Sequence, residues 1–260
     1  MLAALLLFAS CGDEDALAPP ADTGPLRAAI ARERLFEATR AFELALQNTG
    51  PDPIETTDAR LRSNLFEPVD PDGRVATVWP TGDPVTMPLR FGPAVCGGED
   101  SITTVELTVD GRPSELAIDR VPDGILAVHE RECAAAEVRQ VVDLTFADDW
   151  QITADGLAAG TIVVDRLGPT EVVVEEIDPA SVVFTVEVPS GRPASDEIDL
   201  VVAAGRCDAH ALIESKKLFH FRIWVRVDGG DRVAVELEAS AGGPARTALE
   251  QVLEACTSAR

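Results

Sequence analysis

The sequence predicts an all-β protein with short helices, arranged as two tandem β-sandwich domains, each closed by a C-terminal helix and a disulfide. Three observations predict it. Segments of strand length alternate apolar and polar residues and are punctuated by Gly, Pro, Asn and Asp, the pattern of short antiparallel strands rather than of a parallel sheet. The same order of turn and apolar residues recurs at an offset of about 118 residues, as expected of a duplicated unit. Two cysteines in each half fall at matching places in that order.

The chain opens on an apolar run, Met1 to Ala9, followed by Phe8-Ala9-Ser10-Cys11, which resembles a bacterial lipobox with small residues directly before a cysteine. Residues 1–11 are therefore expected to be a lipoprotein signal peptide with Cys11 as the lipidated residue. Phe8 stands where Leu is usual and no basic residue precedes the run, which a start codon placed too late would account for; the alternative is a cytosolic chain with an apolar tail. Residues 12–25 are acidic and rich in Pro and Ala, suited to a flexible tether. An apolar run of about nine residues is too short to span a bilayer. The expected location is extracytoplasmic, with a lipid anchor on the outer face of the cytoplasmic membrane, or else secreted.

The first domain is expected over 26–138. Leu26 to Leu46 is helical by propensity, but its counterpart, Leu144 to Val164, carries Gly156, Gly160 and the β-branched run Thr161 to Val164. Strand is thus expected from about Arg40, with helix or edge strand open before it. Ala41 to Gln47 alternates, Asn48-Thr49-Gly50-Pro51 turns the chain, and Ile54 to Leu65 continues extended. Val75 to Trp79, Val85 to Phe91, Ile102 to Val109 and Ser114 to Ile118 follow, the last two joined by an Asp110-Gly111 turn. Asp123 to Ala136 reads as the closing helix.

The second domain, 139–260, repeats this plan. Gly50-Pro51 corresponds to Gly168-Pro169, Leu65-Phe66 to Val183-Phe184, Asp110-Gly111 to Asp228-Gly229, and the closing helix to Pro244 to Thr257. Four cysteines allow three pairings. The repeat selects Cys96 with Cys133 and Cys207 with Cys256, leaving Cys11 for lipid; four buried free thiols are the alternative.

Phe42 to Gly50, Leu61-Arg62-Ser63 with Leu65-Phe66, and Cys207-Asp208-Ala209-His210-Ala211 resemble motifs of a secreted, lipoprotein-like family of actinobacteria that has no assigned activity. In that family the last motif is Cys-Asp-Pro-His-Ala followed by an acidic and then a basic residue. Here Ala209 replaces the proline, and Glu214 and Lys216 are the acidic and basic counterparts. The resemblance implies immunoglobulin-like β domains and an exported location.

The 45 acidic residues exceed the 22 basic ones, for a formal charge of −23 spread along the chain. Such a surface repels phosphate backbones, so no nucleic-acid partner is expected. Catalytic signatures are missing: there is no Gly-x-Ser-x-Gly elbow, and Ser215 has no lysine three positions on. His129-Glu130-Arg131-Glu132 begins like a zinc-protease motif but places Cys133 where the second histidine belongs. Neither Asp70-Pro71-Asp72-Gly73 nor Asp228-Gly229-Gly230-Asp231 carries the ligand series of a calcium loop, and no glycine-rich loop leads to a lysine. No enzyme activity, catalytic residue, metal or cofactor is expected.

Cys207 to Lys217 is the most distinctive stretch, holding both lysines and one of three histidines. A helical turn there would put His210 and Glu214 on one face. Asp208 or His210 is expected to fix the loop through backbone hydrogen bonds. The alternative is a metal-binding or metal-dependent role for Asp208, His210 and Glu214, with His220 on the next strand. Lys216 and Lys217 are a candidate contact for an anionic partner, or else solvated lysines. Trp224 is expected in the core with Phe219, Phe221, Ile223 and Val225. These features predict a cell-envelope lipoprotein serving as a non-catalytic binding or structural module, with the membrane as one partner and an envelope protein or wall polymer as another.

Overall fold

The computed structural model describes residues 24–31, 40–80, 82–98, 104–118, 123–188 and 196–258. Cys11 and the tether to residue 23 lie outside them. Strands dominate and fall into four antiparallel sheets.

In the first half, β1 (Leu26–Ala31), β2 (Ala41–Asn48) and β5 (Val85–Arg90) form one sheet in the order β1-β2-β5. A second sheet orders β4 (Val75–Val78), β3 (Ile54–Arg62), β6 (Thr104–Val109) and β7 (Arg112–Ala117) as β4-β3-β6-β7. The inward residues of both sheets share one core: Phe42, Leu44 and Leu46 from β2 meet Leu61, Val105 and Leu116 from the facing sheet. Alternation puts Leu44 and Leu46 inside while Gln47 is exposed. The open question at Leu26 resolves as strand as far as Ala31, since Leu26 and Ile30 are buried at even spacing and β1 pairs along β2; residues 32–39 lie outside the described residues.

The second half repeats the arrangement. β8 (Val142–Phe146), β10 (Ala158–Arg166), β13 (Glu197–Ala204) and β12 (Phe184–Glu187) form one sheet, with the short β9 (Gln151–Ile152) also paired to β10. β11 (Val172–Pro179), β14 (His220–Val227) and β15 (Arg232–Glu238) form the other. The repeat extends to details. Asp110 and Asp228 both adopt positive φ, 46° and 47°, ahead of a positive-φ glycine, the geometry that joins twisted strands through a two-residue turn. Asp110 Oδ1 accepts from Glu55 N at 2.9 Å, and Asp228 Oδ1 from Glu171 N at 3.0 Å. Each aspartate thereby fastens its hairpin to the strand beside it. A register irregularity also recurs, after Thr57 in β3 and after Val174 in β11.

One position departs from the repeat for a packing reason. Gly160 on β10 lies under the indole of Trp150, and a Cβ there would sit 2.4 Å from Trp150 Cγ. The buried indole donates to Thr161 O at 3.1 Å, so it displaces side-chain volume from the strand rather than from the core.

Among the described residues the helices are α1 (Asp123–Arg139), α2 (Ala209–Glu214) and α3 (Pro244–Ser258). The disulfides are Cys96–Cys133 and Cys207–Cys256, with Cα separations of 5.5 and 6.0 Å. α1 runs past the predicted Ala136 to Arg139 because both of its ends are buried, each in a different core. Ile125 and Val128 pack in the first core, Ala135 and Val138 in the second. It therefore acts as a strut shared by the two halves. No helix among the described residues is long and apolar enough to cross a membrane.

Candidate functional site

The loop from Cys207 to Lys217 is held by its own polar groups. Asp208 is the N-cap of α2: its Oδ1 accepts from Ala211 N at 3.0 Å, and Arg206 Nε donates to its Oδ2 at 3.1 Å. The Ala211 amide, then the Arg206 guanidinium, hold this carboxyl below its usual 3.8. Ser215 Oγ donates to Ala211 O at 2.6 Å and accepts from Ser181 Oγ at 2.8 Å, closing the end of the loop onto the β11–β12 connection. Buried Cys207 anchors the start through its disulfide to α3.

His210 and Glu214 do meet, Nε2 to Oε2 at 3.2 Å, but both side chains are about two-thirds exposed or more, at 72% and 66%. Asp208 is directed to the helix amide and Arg206. His220 lies away from this pair, 3.9 Å from Glu236 and 3.7 Å from Glu238. Among the described residues, no group of three or more His, Cys, Asp or Glu side chains is assembled to hold a metal ion. Lys216 is exposed, while Lys217 Nζ donates to both oxygens of Glu236 at 2.7 Å. The two lysines adjacent in sequence thus serve different surroundings.

Lys217 leads to a larger feature, a cleft of about 770 Å³ between the two halves. Its floor is the outer face of β14 and β15, where His220, Arg222, Trp224, Ala234 and Glu236 project. One wall is α1, through Val128, Arg131, Glu132, Ala135 and Arg139. Positions 128, 131, 132, 135 and 139 fall three or four residues apart and so share one side of the helix. Arg40, Phe42, Phe91 and the segment through Cys96 form the remaining wall.

Two clamps join these walls. Cys133 on α1 is bonded to Cys96, and the neighbouring Glu132 accepts from Arg40 Nη1 and Nη2 at 2.8 and 2.9 Å and from Ala94 N at 3.1 Å. Arg40 also donates to Gly92 O at 2.5 Å, and its guanidinium stands 4.9 Å from the centre of the Phe91 ring. Phe91 stacks on Phe42 at 4.1 Å, carrying the wall into the first core.

Trp224 requires a correction. It does not share the core with Phe221, Ile223 and Val225, because adjacent residues of a strand point to opposite faces. The three neighbours are fully buried, whereas half-buried Trp224 lies on the outward face with His220 and Arg222. Its Nε1 donates to Asp178 Oδ2 at 2.9 Å, and the Arg232 guanidinium sits 4.1 Å from its ring centre.

Glu236 is the electrostatic centre of the floor. Burial opposes its ionisation, but the hydrogen bonds and charge of Lys217, with His220 and Arg131 nearby, hold its carboxyl below the usual 4.5. Arg139 Nη2 donates to its backbone carbonyl at 3.2 Å, and Arg222 is its cross-strand neighbour. The arrangement is a recess lined by aromatic, apolar and arginine side chains, with no assembled nucleophile–base pair among its described lining residues.

No family model matches the chain, and no curated protein matches it in sequence. Among solved structures, it is similar to a protein of unknown function from Porphyromonas gingivalis W83 at 12% identity, covering 83% of this chain and 100% of that one with a TM-score of 0.20. It is also similar to an exo-chitosanase of Amycolatopsis orientalis at 8% identity and a TM-score of 0.19, covering 82% of this chain and 26% of that one, so the chain spans about a quarter of the chitosanase.

Proposed function

We propose that this protein is a non-catalytic binding module of the cell envelope, built of two immunoglobulin-like β-sandwich domains, 26–138 and 139–260, whose ligand lies in the cleft between them. The observation that carries this reading is the cleft itself: about 770 Å³, framed by α1 and closed on one side by the Cys96–Cys133 and Arg40–Glu132 clamps. That volume is in the range of small-molecule sites, and junctions between domains are where such sites concentrate. Ala234 faces the cleft from β15, so Ala234→Trp projects an indole into it from the floor without touching the inward face of the sheet. Melting curves recorded with a panel of small anions, neutral sugars and polyamines are expected to show at least one class that raises the Tm of the native protein and leaves that of A234W unchanged. A panel with no effect, or a rise retained in A234W, overturns the reading.

Two disulfides fit an oxidising, extracytoplasmic compartment. Within it, Cys11 is the proposed point of lipid attachment, with residues 12–25 as tether and the outer face of the cytoplasmic membrane as the site of anchoring. In a bacterial host the full-length chain is expected to incorporate labelled palmitate and to enter the detergent phase on Triton X-114 partitioning, and Cys11→Ser to do neither. Equal labelling of the two chains contradicts the anchor.

A further inference from the structure

We infer that the cleft takes an anion bearing two or more carboxylate or phosphate groups. This rests on the reading of the cleft as a binding site and names the class of its ligand. The chain carries a formal charge of −23, yet the cleft reverses that sign. Arg40, Arg131, Arg139, Arg222 and Lys217 line it, against the carboxylates Glu132 and Glu236.

The pairing inside the cleft leaves positive charge over. Glu132 is taken by Arg40, and Glu236 by Lys217. Arg139 reaches only the Glu236 backbone carbonyl, which leaves its charge uncompensated. Arg131 and Arg222 are exposed and make no ion pair among the described residues. His220 adds a ring nitrogen beside the same carboxylate. The acidic groups at the margin keep their charge but make no ion pair with a lining arginine: Asp178, the cross-strand neighbour of Arg222, accepts from Trp224 Nε1, and Glu238 lies beside His220 on its other side. The five cations of the lining still outnumber the four carboxylates in and beside it, and Arg131, Arg139 and Arg222 face the recess without a direct ion pair among the described residues.

Guanidinium groups hold carboxylate and phosphate oxygens through paired, charge-assisted hydrogen bonds. A concave site of one sign on an otherwise oppositely charged protein also concentrates its counter-ion, because field lines focus through the cleft. The uncommitted cations come from α1 and from β14, on two sides of the recess, so a ligand with anionic groups at both ends satisfies both. Half-buried Trp224 between Arg222 and Arg226 on β14 offers an apolar surface to whatever joins those ends.

The test is calorimetric titration of the native protein with citrate and with pyrophosphate at low ionic strength, repeated on Arg131→Gln/Arg222→Gln and Arg131→Lys/Arg222→Lys. The expected result is binding of at least one anion, weakened by added salt and about tenfold or more by the glutamine pair, with the lysine pair retaining most of the affinity. Tighter binding of citrate assigns carboxylate recognition; tighter binding of pyrophosphate assigns phosphate. Failure of both anions to bind, or an affinity equal in the native and glutamine-pair proteins, overturns the inference. If the uncharged sugar maltotriose raises the Tm of the native protein but not of A234W while both anions fail, the cleft remains a binding site and its anionic assignment falls.

Discussion

Replacing Phe42 with alanine should destabilise the protein by about 3 to 5 kcal/mol, the range for removing a large aromatic from a packed core. Phe42 is 1% exposed, stacks on Phe91 and meets Phe66 edge-on. Those contacts come from three separated segments, so surrounding side chains cannot collapse into the space without moving the strand that carries Arg40. The control is Trp224→Ala. Trp224 is larger but stands on the outer face of β14, and its loss should cost much less in urea unfolding while leaving the core intact. A Trp224→Ala loss equal to that of Phe42→Ala would contradict the placement of Trp224 in the cleft.

The second large effect concerns the clamp on the cleft wall. Cys96→Ser/Cys133→Ser opens a loop spanning 37 residues, and chain entropy assigns such a cross-link about 4 kcal/mol. The Arg40–Glu132 pair should keep the wall in place in the folded state, because Glu132 bonds both Arg40 and the Ala94 amide. Equilibrium unfolding should therefore show a large loss of stability with a single cooperative transition. Loss of less than about 1 kcal/mol would mean that the ion pair and core already constrain this loop, and that the bond adds little to them.

Much of the architecture was legible because it is written in local pattern. The Asp110-Gly111 and Asp228-Gly229 turns need positive φ, which few residue pairs supply, and both adopt it. Cysteine positions tracked the duplicated order, and the structure joins the pairs that this order selects. The expectation that Asp208 or His210 fixes the loop through backbone hydrogen bonds is met by Asp208, which caps α2, while the helical turn itself was only a condition for His210 and Glu214 to share a face. The phase of β14 differs from the expected one because five of its eight residues are apolar, and hydrophobicity alone does not say that Trp224 is turned away from Ile223.

The cleft left no comparable trace. Arg40, the pair Arg131 and Arg139 on α1, and Arg222 are far apart in sequence and meet only because α1 spans both cores and sets one wall against the outer face of the second half. A signal did exist in the four-residue spacing of Arg131, Ala135 and Arg139 on one helix face, and in the alternation of His220, Arg222 and Trp224 on one strand face. Neither indicates that the two faces meet. The stretch around Cys207 drew attention by composition, yet its polar groups mostly satisfy one another, and its clearest link to the cleft is Lys217 on Glu236.

The most direct test of the central claim is titration of the native protein and of A234W with whichever of citrate, pyrophosphate and maltotriose raises the native Tm most. A ligand held between the halves predicts single-site binding to the native protein and binding weakened about tenfold or more in A234W, whose indole stands in the cleft. Equal binding isotherms for the two proteins would place the ligand elsewhere and contradict the account.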